Sequence, residues 1–201
     1  SVIEALHHSG VYYGRHVDIN LIDGENLTED DVEQVLGDAD GILVPGGFGI
    51  RGLEGKILAT HRARTTGTPF LGICLGLQVA VCEYARNVAG MPGASSTEFV
   101  PDCEYPVIDL MPDQEDVTSK GGTMRLGAYP CKVAEGTLAR EAYGEELVYE
   151  RHRHRFEVNN AYREKLHQAG LTFSGVSPDD RLVEMVELPE DVHPWFVAAQ
   201  F

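Results

Sequence analysis

The pentapeptide Gly72-Ile73-Cys74-Leu75-Gly76 restricts the fold of this chain more than any other stretch. Before it, residues 69–73 form an apolar run with the length of a buried strand. After it, Leu77, Ala80, Val81, Tyr84, Ala85 and Val88 recur at the i, i+3, i+4, i+7 spacing of one helix face. A chain that passes from strand to helix across small-x-Cys-x-small needs an elbow, a turn that holds its central residue in strained geometry and exposes the side chain at the sheet edge. The amides that open the helix point at the sulfur, which lowers a thiol pKa, and the Leu75 N–H becomes an oxyanion donor. A buried structural cysteine in a tight turn is the competing reading, against which the paired glycines weigh.

Strands and helices alternate around this turn. Ser1 and Glu4 have capping-box spacing ahead of a short helix ended by Gly10, and Val17, Ile19 and Leu21 alternate as a strand. Asp23-Gly24 turns the chain, Thr28 caps a helix to about Gly37, residues 41–44 read as a buried strand and 54–65 as a helix. This alternation predicts an α/β fold: a doubly wound, mostly parallel sheet flanked by helices, with ligands beyond the carboxyl ends of the strands. The second half adds strands at 105–110, 124–133, 147–158, 171–176 and 182–188, a helix at 160–169 and a last apolar run at 195–201. The polar segment 112–122 reads as a mobile loop.

At 201 residues the chain is sized for one core, so 1–201 is read as a single domain. Its net charge of −16 opposes a broad nucleic-acid surface, and no apolar stretch approaches the roughly 20 residues of a membrane span. Neither nucleic acid nor membrane is expected as a partner. The four cysteines, Cys74, Cys82, Cys103 and Cys131, form no CxxC pair and suit reduced thiols in the cytoplasm. A start at Ser1 and a close on an apolar run read as a piece of a longer polypeptide.

Two further motifs carry chemistry. Pro45-Gly46-Gly47-Phe48-Gly49 follows a strand and brings the Gly47 N–H toward the Cys74 crevice as a second oxyanion donor. It lacks the Lys and Ser/Thr of a phosphate-binding loop. Arg151-His152-Arg153-His154-Arg155, if extended, puts three arginines on one face and two histidines on the other. A solvated strand face and an arginine fork for a small carboxylate both fit it, while a metal site on the histidine pair lacks its remaining ligands, so no metal is expected. Glu98 would supply the opposite charge that a zwitterionic amino acid requires.

The segments PGGFGIRG, GICLGLQ, STEFVPDC, GGTMRLG, ERHRHRFEVNN and HPWFVAAQF together resemble successive motifs of the glutaminase domains of CTP synthases, a branch of the class I amidotransferases, over almost the whole chain. The first two motifs are shared more loosely by all class I amidotransferases; the RHRHR run and GGTMRLG point to this branch.

The resemblance implies a flavodoxin-like fold and a Cys74 nucleophile that releases ammonia from L-glutamine through a thioester. By the same resemblance, Gly47 and Leu75 stabilise the oxyanion, and Gly76, Leu77, Gln78, Glu98 and Arg155 line the glutamine pocket. It implies no cofactor in this domain. ATP, UTP and Mg belong to a synthase domain of the same polypeptide, absent here, which forms homotetramers in the full-length enzymes. GTP is the activator, and the 112–127 segment resembles the lid near which it acts. Phe48 either stacks on the GTP base or packs under its own turn. The family's His and Glu of the triad lie in a His-Pro-Glu motif that follows Gln200-Phe201, where this chain stops. His193-Pro194 opens the last strand, too early to replace it, so a fragment ending at Phe201 is expected to be inactive. Another class I amidotransferase domain, or a non-catalytic glutamine-binding module, is the alternative.

Overall fold

The structure, a computed structural model, describes residues 2–110 and 124–201. Its main sheet is assembled from the apolar runs. Strands β1 (Ile42–Val44) and β2 (Phe70–Ile73) pair in parallel, and the last strand, β10 (Phe196–Ala199), lies parallel on the other side of β2. Phe70 and Phe196 are wholly buried and stack at 4.5 Å. Two such rings removed from water are worth about 3–6 kcal/mol together.

The helices follow from the same patterning. Helix α3 (Leu53–Thr66) and helix α4 (Leu75–Asn87) pack together, and every residue from Leu75 to Ala85 is buried. An almost wholly apolar helix must sit inside. The one charged residue of that run, Glu83, is fully buried but answered by Arg64 at 2.8 Å, His61 Nδ1 at 2.8 Å and Asn87 at 3.0 Å. At the other end of the chain's order, α1 (Val2–Tyr12) runs two residues past Gly10, its only buried residue. Helix α2 (Val32–Leu36) is shorter than expected, because Asp31 turns its carboxylate back onto the Thr28 N–H at 2.7 Å instead of capping forward.

The second half completes the sheet in antiparallel pairing. β9 (Val183–Glu187) lies beside β10, then β8 (Thr172–Val176), β5 (Arg125–Val133) and β6 (Leu147–His154), giving the order β1-β2-β10-β9-β8-β5-β6. A smaller sheet joins β3 (Ser95–Ser96), β4 (Pro106–Asp109) and β7 (Glu157–Val158). Helices α5 (Leu138–Tyr143) and α6 (Arg163–Gln168), the latter after a 3-10 turn over Asn160–Tyr162, complete the described elements.

The α/β class and the extra strands are as expected. Within the main sheet the parallel part is narrower than "mostly parallel" implies, being confined to β1, β2 and β10, while β9, β8, β5 and β6 join in antiparallel pairing; in the smaller sheet β3 and β4 are parallel as well. Residues 17–21 form no ladder among the described residues, and Leu21 is 76% exposed. The stretch read as one strand over 147–158 breaks at Arg155-Phe156 into β6 and β7, which belong to different sheets. Ser1 of the capping box and the loop at 112–122 lie outside the described residues.

Candidate active site

Cys74 sits between β2 and α4 with φ 54° and ψ −104°, a backbone geometry a side chain rarely tolerates. The flanking glycines make it possible. A Cβ on Gly76 would lie 2.1 Å from the Val44 carbonyl oxygen, and one on Gly72 would meet the Gly76 backbone at 2.7 Å and the Ala198 Cβ at 2.9 Å. The elbow is also tied to the last strand, since the Cys74 N–H donates to the Ala199 carbonyl at 2.7 Å. On its other side the Cys74 carbonyl accepts from the N–H groups of Leu77 at 3.0 Å and Gln78 at 3.3 Å.

The thiol departs from its expected acidity. Burial pushes its pKa up, the Leu75 N–H opposes that, and the carboxylates of Glu98 and Glu157 add to the rise. Together these effects favour the protonated thiol over the low-pKa thiolate expected from the helix N-terminus.

Cys74 opens into a cavity of about 450 Å³. Gly47, Phe48, Leu75, Gln78, Glu98 and Arg155 line it, so six of the residues singled out in the sequence meet there with the thiol. Gly76 and Leu77 do not: Gly76 is pressed on the β1 backbone and Leu77 is wholly buried in the core. Gly46 backs the turn so closely that its Cβ would lie 3.3 Å from the Cys74 Cβ. Another concavity, of about 430 Å³, between Asp23, Glu25, Arg51 and Lys56 carries an Arg51–Glu25 ion pair and no nucleophile.

The cavity carries charges of both signs, Glu98 and Arg155. Burial raises the Glu98 pKa, while the Gly49 N–H and the facing Arg155 hold it down. The Glu98 N–H donates to Ser96 Oγ at 3.2 Å, which fixes the turn that carries the carboxylate. Arg151 and Arg153 are exposed and His152 and His154 buried on β6, as a period of two requires, whereas Arg155 lies in the bend beyond the strand. Phe48 is 66% exposed, so it does not pack under its turn; the Arg153 guanidinium carbon stands 5.9 Å from its ring centre.

His193 is excluded as a base by its position. It is 1% exposed, its Nε2 donates to the Ala63 carbonyl at 2.9 Å, and it precedes the end of β10 that lies opposite Phe70, a strand's length from Cys74. Cys82 and Cys131 are buried, and burial holds both thiols up at about 12.

Sequence reasoning did not single out Thr97, Met124 or Phe156 as cavity lining, nor His154 as part of its wall. It also missed the buried group behind them, where Arg125 meets Glu157 and Glu184 across sequence separations of 32 and 59 residues. No spacing rule reaches that far; the nearest signals were a lone Arg in GGTMRLG and a Glu just after RHRHRF.

Residues 1–201 match the class-I glutamine amidotransferase family in full. The chain belongs to the class-I glutamine amidotransferases. Within that family its likeness is to CTP synthases. It is 61% identical to the CTP synthase of Caldanaerobacter subterraneus subsp. tengcongensis over 201 residues, which is all of this chain and 37% of that protein. It is 59% identical to that of Geobacillus kaustophilus, again over the whole chain and 38% of the relative. The chain thus spans under two-fifths of the length of the curated relatives it matches. A solved structure of the Trypanosoma brucei CTPS glutaminase domain with bound acivicin superimposes with a TM-score of 0.92 at 37% identity, covering all of this chain and 78% of that one. The amidotransferase fold therefore holds through β10. Among the described residues no group of His, Cys, Asp and Glu is placed to hold a metal ion, and no helix is long and apolar enough to cross a membrane.

Proposed function

We propose that the Cys74 cavity hydrolyses the side-chain amide of L-glutamine and that the chain is the glutaminase half of a CTP synthase. The observation that carries this reading is the meeting, in one cavity, of a cysteine on a strained elbow with Glu98 and Arg155 as opposite charges. Arg155 pairs with the substrate carboxylate and Glu98 with its ammonium, which leaves the carboxamide at Cys74. Sγ attacks the carboxamide carbon as its proton passes to a base. The oxygen takes up the charge against the N–H groups of Leu75 and Gly47, the base returns its proton to the amide nitrogen, and the tetrahedral species expels ammonia to leave a thioester that water hydrolyses to glutamate.

The base is assigned to the His of the His-Pro-Glu motif that the family resemblance puts after Phe201, oriented by the Glu. The hydrogen bond from Cys74 N–H to Ala199 supports this, because β10 delivers the following residues beside the thiol. The raised thiol pKa supports it too, since such a thiol depends on a base to react. The domain itself uses no cofactor. The ammonia goes to the remainder of the polypeptide, which with ATP and Mg converts UTP to CTP in a cytoplasmic homotetramer. GTP activates, with its base stacked on Phe48; the exposure of that ring at the cavity rim, beside the Arg153 guanidinium, is what supports this contact.

The test is ammonia release from glutamine by the natural polypeptide, by Cys74→Ser, and by a polypeptide of residues 1–201 alone. The wild type should be active and the other two lower by orders of magnitude. Undiminished hydrolysis by Cys74→Ser would remove the nucleophile assignment, and undiminished hydrolysis by 1–201 would remove the assignment of the base.

A further inference from the structure

Behind the cavity wall lies a cluster of charges that the proposed mechanism leaves unused. Arg125, His152, His154, Glu157 and Glu184 are each at most 9% exposed. Arg125 Nη2 donates to Glu184 at 2.7 Å and its Nη1 to Glu157 Oε1 at 3.2 Å, and His154 Nε2 donates to the same Glu157 oxygen at 2.8 Å. Two buried carboxylates against one guanidinium are costly, and an apolar set of the same volume would often be as stable. What the cluster holds is therefore more informative than what it contributes to stability.

It holds a ring of bonds around the cavity. His154 and Glu157 bracket the bend that carries Arg155 and Phe156. The Phe156 carbonyl accepts from Gln78 Nε2 at 3.1 Å, and the Gln78 N–H returns to the Cys74 carbonyl. In the other direction the Glu184 carbonyl accepts from the Gln200 N–H at 2.8 Å, and the neighbouring Ala199 carbonyl accepts from the Cys74 N–H. The ring runs from the thiol through β10, β9, the Arg125 bridge and the 154–157 bend back to α4. Arg155 is exposed and lies just past the end of a strand, so the buried bonds on either side of it fix the backbone from which its guanidinium enters the cavity.

From this geometry we infer that Glu157 is a positioning residue for substrate recognition: one buried carboxylate oxygen, by holding His154 and Arg125 together, aims Arg155 at the α-carboxylate without itself touching the substrate. The inference rests on the glutaminase reading of the cavity. Glu157 also bears on the thiol, since its charge is among those that raise the Cys74 pKa.

The experiment compares two labels of Cys74 in the natural polypeptide, a glutamine-shaped electrophile and iodoacetamide, in wild type, Glu157→Gln, Arg155→Ala and the double variant. Glu157→Gln should raise the half-saturating concentration of the glutamine-shaped label about tenfold or more, as expected for loss of a charged hydrogen bond. Iodoacetamide labelling should stay at least as fast. The double variant should be no weaker than Arg155→Ala, because both act through one guanidinium. His154→Phe, which removes the bond to Glu157 while keeping a ring in the cavity wall, should repeat the weakening, and it serves as the test should Glu157→Gln melt early. Unchanged half-saturation in both variants, additive losses in the double variant, or an equal loss toward iodoacetamide would overturn the inference. A wild type that the glutamine-shaped electrophile does not label at Cys74 would instead overturn the glutaminase reading beneath it.

Discussion

The two walls of the cavity are made from different physics. On the Cys74 side, β1, β2, β10 and α4 meet through apolar side chains and glycines so tightly placed that backbone touches backbone. On the Arg155 side, β5, β6, β7 and β9 enclose a guanidinium, two carboxylates and two imidazoles. The first wall fixes a reactive atom by steric exclusion, which is indifferent to salt and pH. The second fixes the bend that carries Arg155 by buried electrostatics, which is sensitive to protonation. A site that must hold one strained backbone residue and one exposed arginine uses both.

Each wall can be broken in its own way. The largest effect is expected from Arg125→Ala, which leaves Glu157 and Glu184 buried without their cation and should cost about 3–5 kcal/mol at neutral pH. That cost should shrink in acid, because burial raises the Glu184 pKa and its carboxylate takes up a proton sooner than an ordinary one, and urea unfolding at pH 7 and pH 5 reads the difference. A Cβ added by Gly76→Ala must displace the Val44 carbonyl and should cost about 1–3 kcal/mol, with the same value at both pH values. A pH-dependent cost there, or a pH-independent one at Arg125, would dissolve the contrast between the walls.

His152 sharpens the comparison further. Burial, then Arg125 and His154, lower its pKa to about 3, and at 3.6 Å its Nδ1 makes no hydrogen bond to Glu184. The folded protein keeps this imidazole neutral while the unfolded chain protonates it near its ordinary value. Stability should therefore be full above about pH 6.5 and fall as pH drops toward 3, by about 1.4 kcal/mol per unit from this group alone. His152→Phe should flatten that slope in acid unfolding curves; an unchanged slope would assign the acid sensitivity elsewhere. The smallest effect concerns the rim. Phe48→Ala should leave stability unchanged and raise the GTP concentration for half-activation about two- to fivefold, the worth of an exposed aromatic stacking contact.

The two walls also differed in how much of them the sequence disclosed. The elbow was legible because its causes are local: two glycines, an apolar strand and a helical repeat within twenty residues determine both the strain at Cys74 and the burial of α4. Gly47, Leu75, Gln78, Glu98 and Arg155 could be named from short motifs, and they do line one cavity. The charged cluster was not legible, because Arg125, Glu157 and Glu184 lie far apart in the chain and an isolated Glu in a strand looks like a solvated one. Residues 17–21 failed for the opposite reason: the alternation is present, but a strand also requires a neighbour, which no local pattern reports. The thiol pKa was misjudged because the helix amides were counted and the burial and facing carboxylates were not.

The central claim, that Cys74 is the nucleophile of a glutamine cavity, is tested most directly by mass-spectrometric mapping of cysteines labelled by a glutamine-shaped electrophile in the natural polypeptide, with and without excess glutamine. Cys74 alone combines the elbow, the cavity and a helix N-terminus, whereas Cys82 and Cys131 are buried and Cys103 sits outside the cavity lining. The account predicts rapid modification of Cys74 only, suppressed by glutamine. Labelling of Cys82, Cys103 or Cys131 at a comparable rate, or labelling of Cys74 that glutamine does not suppress, would contradict it.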